Sequence, residues 1–164
     1  MKRHKALILL SHDHHKGLLL AQLLKKNAPP YKGLPTDPAG KMNYAIEAFK
    51  SDLTIHFKDE EEILFPLLRN KTSELDTLID ELLDEHKKIE DGISSLNKSD
   101  DLVVDLNKIG VILENHIRKE ERILFQMAQS VLSEVELTGI ESGIENSREN
   151  FKRVCLTSTL KNKN

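Results

Sequence analysis

Four times along this chain, apolar residues recur at alternating three- and four-residue steps, and each run has a histidine in its middle. That period marks one face of an α-helix turned towards a core. The runs are Leu7, Leu10, His14, Gly17, Ala21, Leu24; then Met42, Ile46, Phe49, Leu53, His56, Glu60, Ile63, Leu67; then Leu75, Ile79, Leu82, His86, Ile89, Ile93, Leu96; and finally Leu102, Leu106, Ile109, Leu113, His116, Glu120, Ile123, Met127. The first helix is expected over about residues 5–26, the third over about 73–96, and the fourth after the cap Ser99-Asp100. Pro29, Pro30, Gly33, Pro35, Pro38 and Gly40 mark 27–40 as a long loop, while the connections at 70–72 and 97–101 are short. Helices joined this way form an all-α, antiparallel up-down-up-down four-helix bundle over about 5–132. In the extension, 133–164, Leu137, Ile140, Ile144, Phe151 and Val154 keep helical spacing despite Gly139 and Gly143, so a fifth helix is expected outside the bundle.

A length of 164 residues suits a single domain. Aromatic residues make up 4% with no Trp, which leaves a β-sandwich or barrel without its usual material. The net charge of −3 is spread over intermixed acids and bases, so no basic face is expected for nucleic acid. The basic residues 2–5 and the short apolar run 6–10 fall short of a signal peptide, and no segment is long enough to cross a bilayer. A cytoplasmic protein without membrane contact is the expectation. The lone Cys155 excludes an internal disulfide and a Cys-rich zinc site, and reads as a small buried residue.

The sequence repeats itself once at an offset of 60 residues: His56-Phe-Lys-Asp-Glu60-Glu61-Glu62-Ile63-Leu64-Phe65 and His116-Ile-Arg-Lys-Glu120-Glu121-Arg122-Ile123-Leu124-Phe125. Residues four apart share a helix face, so His56 pairs with Glu60 and His116 with Glu120. Either pair alone reads as an ordinary solvated pair. Both, however, fall on a buried stripe that holds no Lys or Arg, and an unpartnered buried carboxylate costs several kcal/mol or more. Cations answer that cost. His14, His56, His86 and His116 lie at similar heights in an antiparallel bundle, and with Glu60 and Glu120 they suffice for two ions sharing carboxylate bridges. Imidazole and carboxylate without thiolate suit iron or manganese, with zinc possible.

The doubled His-x-x-x-Glu-Glu with its Ile-Leu-Phe run, together with Asp13-His14 and Glu85-His86, resembles the hemerythrin-like HHE cation-binding domain over about residues 5–129. The resemblance implies His14, His56, His86 and His116 as terminal ligands of a non-haem di-iron centre, with Glu60 and Glu120 bridging two Fe ions. It also implies a role in binding dioxygen or responding to oxygen, nitric oxide or iron. Animal oxygen-carrying hemerythrins have a histidine where this chain has Glu90, which is a candidate ligand although it lies one step off the stripe marked by Ile89. Those proteins also place the fourth-helix carboxylate at the position of Glu121, whereas the stripe and the match to Glu60 favour Glu120. In the first helix, His14 is in register with Leu7 and Leu10, and His15 is the alternative; His12 and His4 read as solvent-facing.

The expected function is therefore metal-dependent binding or sensing of a small diatomic or peroxide ligand, or iron handling. With no nucleophile, general acid or organic-substrate pocket legible beyond the metal, a binding protein is favoured over an enzyme. The alternatives are a ferritin-like di-iron oxidoreductase, whose Glu-x-x-His spacing is not the one here, and a metal-free helical interaction module, against which the buried carboxylates speak.

Overall fold

The computed structural model describes residues 2–161, with side chains as far as residue 153, so the readings of Val154 and Cys155 lie outside the described side chains. The described chain is all-helical. A 3-10 turn, Lys5–Leu7, leads into α1, Ile8–Leu24. Helix α2 covers residues 38–68, α3 is Ser73–Ser95, α4 covers residues 102–131 and α5 is Glu134–Lys161.

Local chemistry sets the starts. Asp37 caps α2 by accepting from Gly40 N–H at 2.8 Å, and Pro38 stands in the first turn, where its missing N–H costs nothing. Residues 38–40 are thus helical and not part of the expected loop: proline followed by glycine looked like a breaker, but after an aspartate it starts a helix. Thr72 caps α3 through Leu75 N–H, and Asp101, one residue later than the expected cap, does the same for α4 through Val104 N–H.

Neighbouring helices run antiparallel. From α1 to α2, Asp13 meets His56 and Lys16 meets Asp52; from α3 to α4, Glu85 meets His116 and Gly92 faces Ile109. Helices α1 and α4 approach closely at two glycines: a β-carbon on Gly17 would lie 2.7 Å from Ile117 Cδ1, and one on Gly110 would lie 2.6 Å from the Ala21 carbonyl oxygen. Helix α5 lies outside the four, burying Leu137, Ile140 and Ile144 and reaching Asp13 and Asp59 through Arg148.

The apolar stripes converge into two clusters. One gathers Leu10, Leu64, Leu68, Ile79, Leu124 and Phe125 with the inner face of α5; the other gathers Leu20, Leu24, Ala45, Ile93, Leu106 and Leu113. Each fully buried aliphatic side chain contributes about 1.5–3 kcal/mol. Between the clusters lies a layer of buried polar side chains.

Two stripes change register at that layer. Residues Glu60–Leu64 and Glu120–Leu124 are π-helical, with Phe65 N–H donating to the Glu60 carbonyl and Phe125 N–H to that of Glu120. The wider turn adds a residue, so the inward positions after the glutamates are Leu64 and Leu68, and Leu124 and Ala128, all fully buried. The expected Ile63 is only partly buried and Ile123 is 48% exposed. A regular helical period cannot anticipate this insertion. Pro66 follows the π turn Glu60–Leu64, but Gln126 occupies its place after Glu120–Leu124, so proline is not the general cause.

Candidate metal centre

Each helix of the bundle sends one histidine into the polar layer, and α2 and α4 each add a glutamate one turn later. His14, His56, Glu60, His86, His116 and Glu120 are all at most 3% exposed. Their ligand atoms form two groups, His14, His56, Glu60 and Glu120, and Glu60, Glu120, His86 and His116, each with all atoms within 4.8 Å of one another. Both groups share the two glutamates.

The Nε2 atoms of His14 and His56 face each other at 3.1 Å, as do those of His86 and His116. Glu60 spans the two pairs, with Oε1 3.4 Å from His56 Nε2 and Oε2 3.3 Å from His86 Nε2. Glu120 Oε2 lies 3.1 Å from His14 Nε2 and 3.3 Å from His116 Nε2. None of the four carboxylate oxygens has a hydrogen-bond partner among the described residues, although both side chains are fully buried. Such orphaned acceptors fit cations, which the two inward-facing nitrogen pairs beside them would help to hold. Nitrogen and oxygen donors without sulfur match the donor set of a transition metal such as iron, manganese or zinc.

The outward nitrogens are held just as systematically. Asp13 on α1 accepts from His56 Nδ1–H on α2 at 3.3 Å, and Glu61 on α2 from His86 on α3 at 2.7 Å. Glu85 on α3 accepts from His116 on α4 at 3.0 Å, and Glu121 on α4 from His14 on α1 at 2.7 Å. The support passes around the bundle in a ring. Because an ionised carboxylate only accepts, each Nδ1 carries the hydrogen, and in the neutral ring Nε2 presents its lone pair inward. Cations secure three of the four carboxylates. Arg148 from α5 bonds Asp13 at 2.6 Å, Lys119 bonds Glu85 at 2.7 Å, and Arg3 bonds Glu121.

Aromatic rings fill the space beside the imidazoles: Phe125 stacks on His14 at 5.4 Å between centroids and Phe57 on His86 at 3.8 Å. The protein's own charges pull protons into the layer. Burial opposes a charged His14, yet Glu120, Glu121 and Glu60 outweigh it and raise its pKa to about 10. His86 is likewise raised to about 9, as Glu60 and Glu61 overcome burial. Burial favours protonating Glu120, but the histidines around it hold its carboxyl below the usual range.

Of the expected site residues, His14, His56, Glu60, His86, His116 and Glu120 meet in this layer. Glu90 does not. It is exposed, because the turn after Ile89 carries it to the outer surface, beside a groove between α2 and α3. Glu121 is 2.7 Å from His14 Nδ1, behind the imidazole and away from the cluster, and His15 and His12 are exposed and stack on each other at 6.4 Å. The supporting ring of Asp13, Glu61, Glu85 and Glu121 was not identified as such in the sequence. Its signal was an acidic residue directly beside four of the six inward-facing ones: Asp13-His14, Glu60-Glu61, Glu85-His86 and Glu120-Glu121.

The family model described as the hemerythrin HHE cation-binding domain matches residues 5–128, and the chain belongs to that family. Among curated proteins, one named DNA nickase from Nostoc sp. (strain PCC 7120 / SAG 25.82 / UTEX 2576) is 32% identical to it over 126 residues. The aligned part is 74% of this chain and 32% of that protein, so this chain spans about a third of its length. No solved structure matches the chain. Helix α5 lies beyond the matched residues. No helix among the described residues is long and apolar enough to cross a membrane.

Proposed function

We propose that this protein holds two non-haem iron ions, bridged by Glu60 and Glu120, and uses them to bind or sense a small oxidant such as dioxygen, nitric oxide or peroxide, or to handle iron. The observation that carries this reading is the set of four buried carboxylate oxygens without a hydrogen-bond partner among the described residues, placed between two inward-facing histidine pairs. Bound iron would supply electron exchange with a ligand of a few atoms. The protein's own residues supply the rest. His14 and His56 would hold one ion and His86 and His116 the other, each ring fixed in tautomer and direction by its outer carboxylate. Phe57, Phe65 and Phe125, with the apolar clusters above and below, keep bulk water from the layer. Enclosure of this kind favours a small ligand over an organic substrate.

Metal analysis of protein expressed with ample iron tests the proposal. The expected result is about two iron atoms per chain, with ferric charge-transfer absorption in the near ultraviolet that changes on adding dioxygen, nitric oxide or peroxide to the reduced protein. Folded protein that takes up no metal overturns the reading. Two ions of zinc or manganese, with iron refused, would keep the site and remove the oxidant role.

A further inference from the structure

The four outer carboxylates share one geometry but not one environment. Each lies on one flank of the bundle, where two neighbouring helices meet. On the α1–α2 flank, Asp13 is clamped by Arg148 and covered by α5; on the α4–α1 flank, Glu121 is clamped by Arg3, whose guanidinium also lies 4.5 Å over the Phe125 ring. On the α3–α4 flank, Lys119 bonds both Glu85 and Glu81. The α2–α3 flank differs. Glu61 has no cationic partner among the described residues other than His86 itself, and its side chain is 42% exposed, against 19% for Asp13 and Glu85 and 27% for Glu121.

Outside Glu61 lies a groove of about 620 Å³ that reaches His86 and the Phe57 ring stacked on it. Its rim brings Glu62, Glu90 and Asp91 together with Glu61 against only Lys58 and Lys87, a balance that raises the local concentration of cations. The exposed Glu90, which does not reach the cluster, stands on this rim.

We propose that the ion held by His86 and His116 exchanges with solution through the α2–α3 groove, with Glu61 as the movable support of His86, while the ion held by His14 and His56 is retained. This rests on the two-ion reading above. Releasing an ion from His86 requires its ring to lose its fixed direction. For that ring a single exposed side chain must turn away. For His14 or His56 the corresponding movement must also break an ion pair to Arg3 or Arg148 and, in the second case, disturb the seat of α5. The pseudo-symmetric ligand set therefore has one labile half and one locked half.

Release kinetics test this. Full-length protein loaded anaerobically with Fe²⁺ to two ions per chain is mixed with excess chromogenic ferrous chelator and followed by absorbance. Two phases of equal amplitude are expected. Glu61→Ala should speed the fast phase by about 10–100-fold, the usual effect of removing such a support, and leave the slow phase unchanged. Arg148→Met should speed the slow phase alone; if that variant does not fold, Asp13→Asn serves the same purpose while keeping an acceptor for His56. A single phase in the unsubstituted protein, or an effect of Glu61→Ala on the slow phase, overturns the exchange route while leaving two-ion binding intact. Uptake of fewer than two ions overturns the two-ion reading itself.

Discussion

Replacing Glu60 with alanine should separate a metal centre from a merely buried polar layer. Glu60 is fully buried, and its two oxygens address different histidine pairs, so the substitution takes one donor from each group at once. A ligand that binds only the folded chain stabilises it by about 2.7 kcal/mol when present at a hundredfold excess over its dissociation constant. Two such ions give about 5 kcal/mol. For a chain of this size each kcal/mol moves the melting temperature by about 2–4 °C, so loading should raise it by roughly 10–20 °C. Differential scanning calorimetry of Glu60→Ala with and without Fe²⁺ should find most of that difference gone. Glu120→Ala should behave alike, and Glu62→Ala, whose side chain is 65% exposed, should retain the full difference. If Glu60→Ala keeps two ions and the full metal-dependent rise, the bridging role is wrong.

Glu121→Ala should weaken metal affinity by about 10–100-fold while sparing stoichiometry at saturating metal, because Glu121 supports His14 and does not face the cluster; loss of both ions, as in Glu120→Ala, would make it a ligand. His14→Ala should deplete iron and the exposed His15→Ala should not, read by metal analysis of the purified variants. In metal-free protein, the raised pKa values of His14, about 10, and His86, about 9, add stability that is complete below the unfolded histidine pKa of about 6.5 and is lost as pH climbs through 9 to 10. Metal-loaded protein should instead lose stability towards acid, where protons compete for the ligands, so denaturation midpoints with and without chelator should slope in opposite directions; parallel slopes refute this. Gly110→Ala should cost about 1–3 kcal/mol in chemical denaturation, because its β-carbon would meet the Ala21 carbonyl oxygen.

Much of the centre was legible because burial and period point the same way. Leu75, Ile79, Leu82, His86, Ile89, Ile93 and Leu96 are all buried as one stripe, and so are Leu7, Leu10, His14, Gly17, Ala21 and Leu24. Where α2 and α4 pass through a π turn the inference slipped by one residue, because a regular 3.6-residue period has no place for an inserted one. The outer carboxylates were missed for another reason. A residue next to an inward-facing one points off the stripe and reads as solvated, and only the demand of each Nδ1–H for an acceptor on the neighbouring helix turns it inward. Glu90 lies away from the cluster because the positions three and four residues after His86 differ in depth, and Ile89, at three, holds the deeper one. Arg148 could not be placed at all, since its partners Asp13 and Asp59 are 135 and 89 residues away in sequence.

The two histidine pairs divide along the chain in a way that bears on how the molecule assembles. His14 and His56 both belong to the α1–α2 hairpin, and His86 and His116 to the α3–α4 hairpin, while each hairpin lends one glutamate to the other. Neither hairpin is self-sufficient: α1 packs on α4 at Gly17 and Gly110, Glu121 of α4 holds His14 of α1, and Glu60 and Glu120 each face the histidines of both hairpins. Ions filling the layer would act as rivets that hold the two hairpins to each other. The step most sensitive to metal supply would then be the closing of the hairpins around the layer, and not the formation of any single helix.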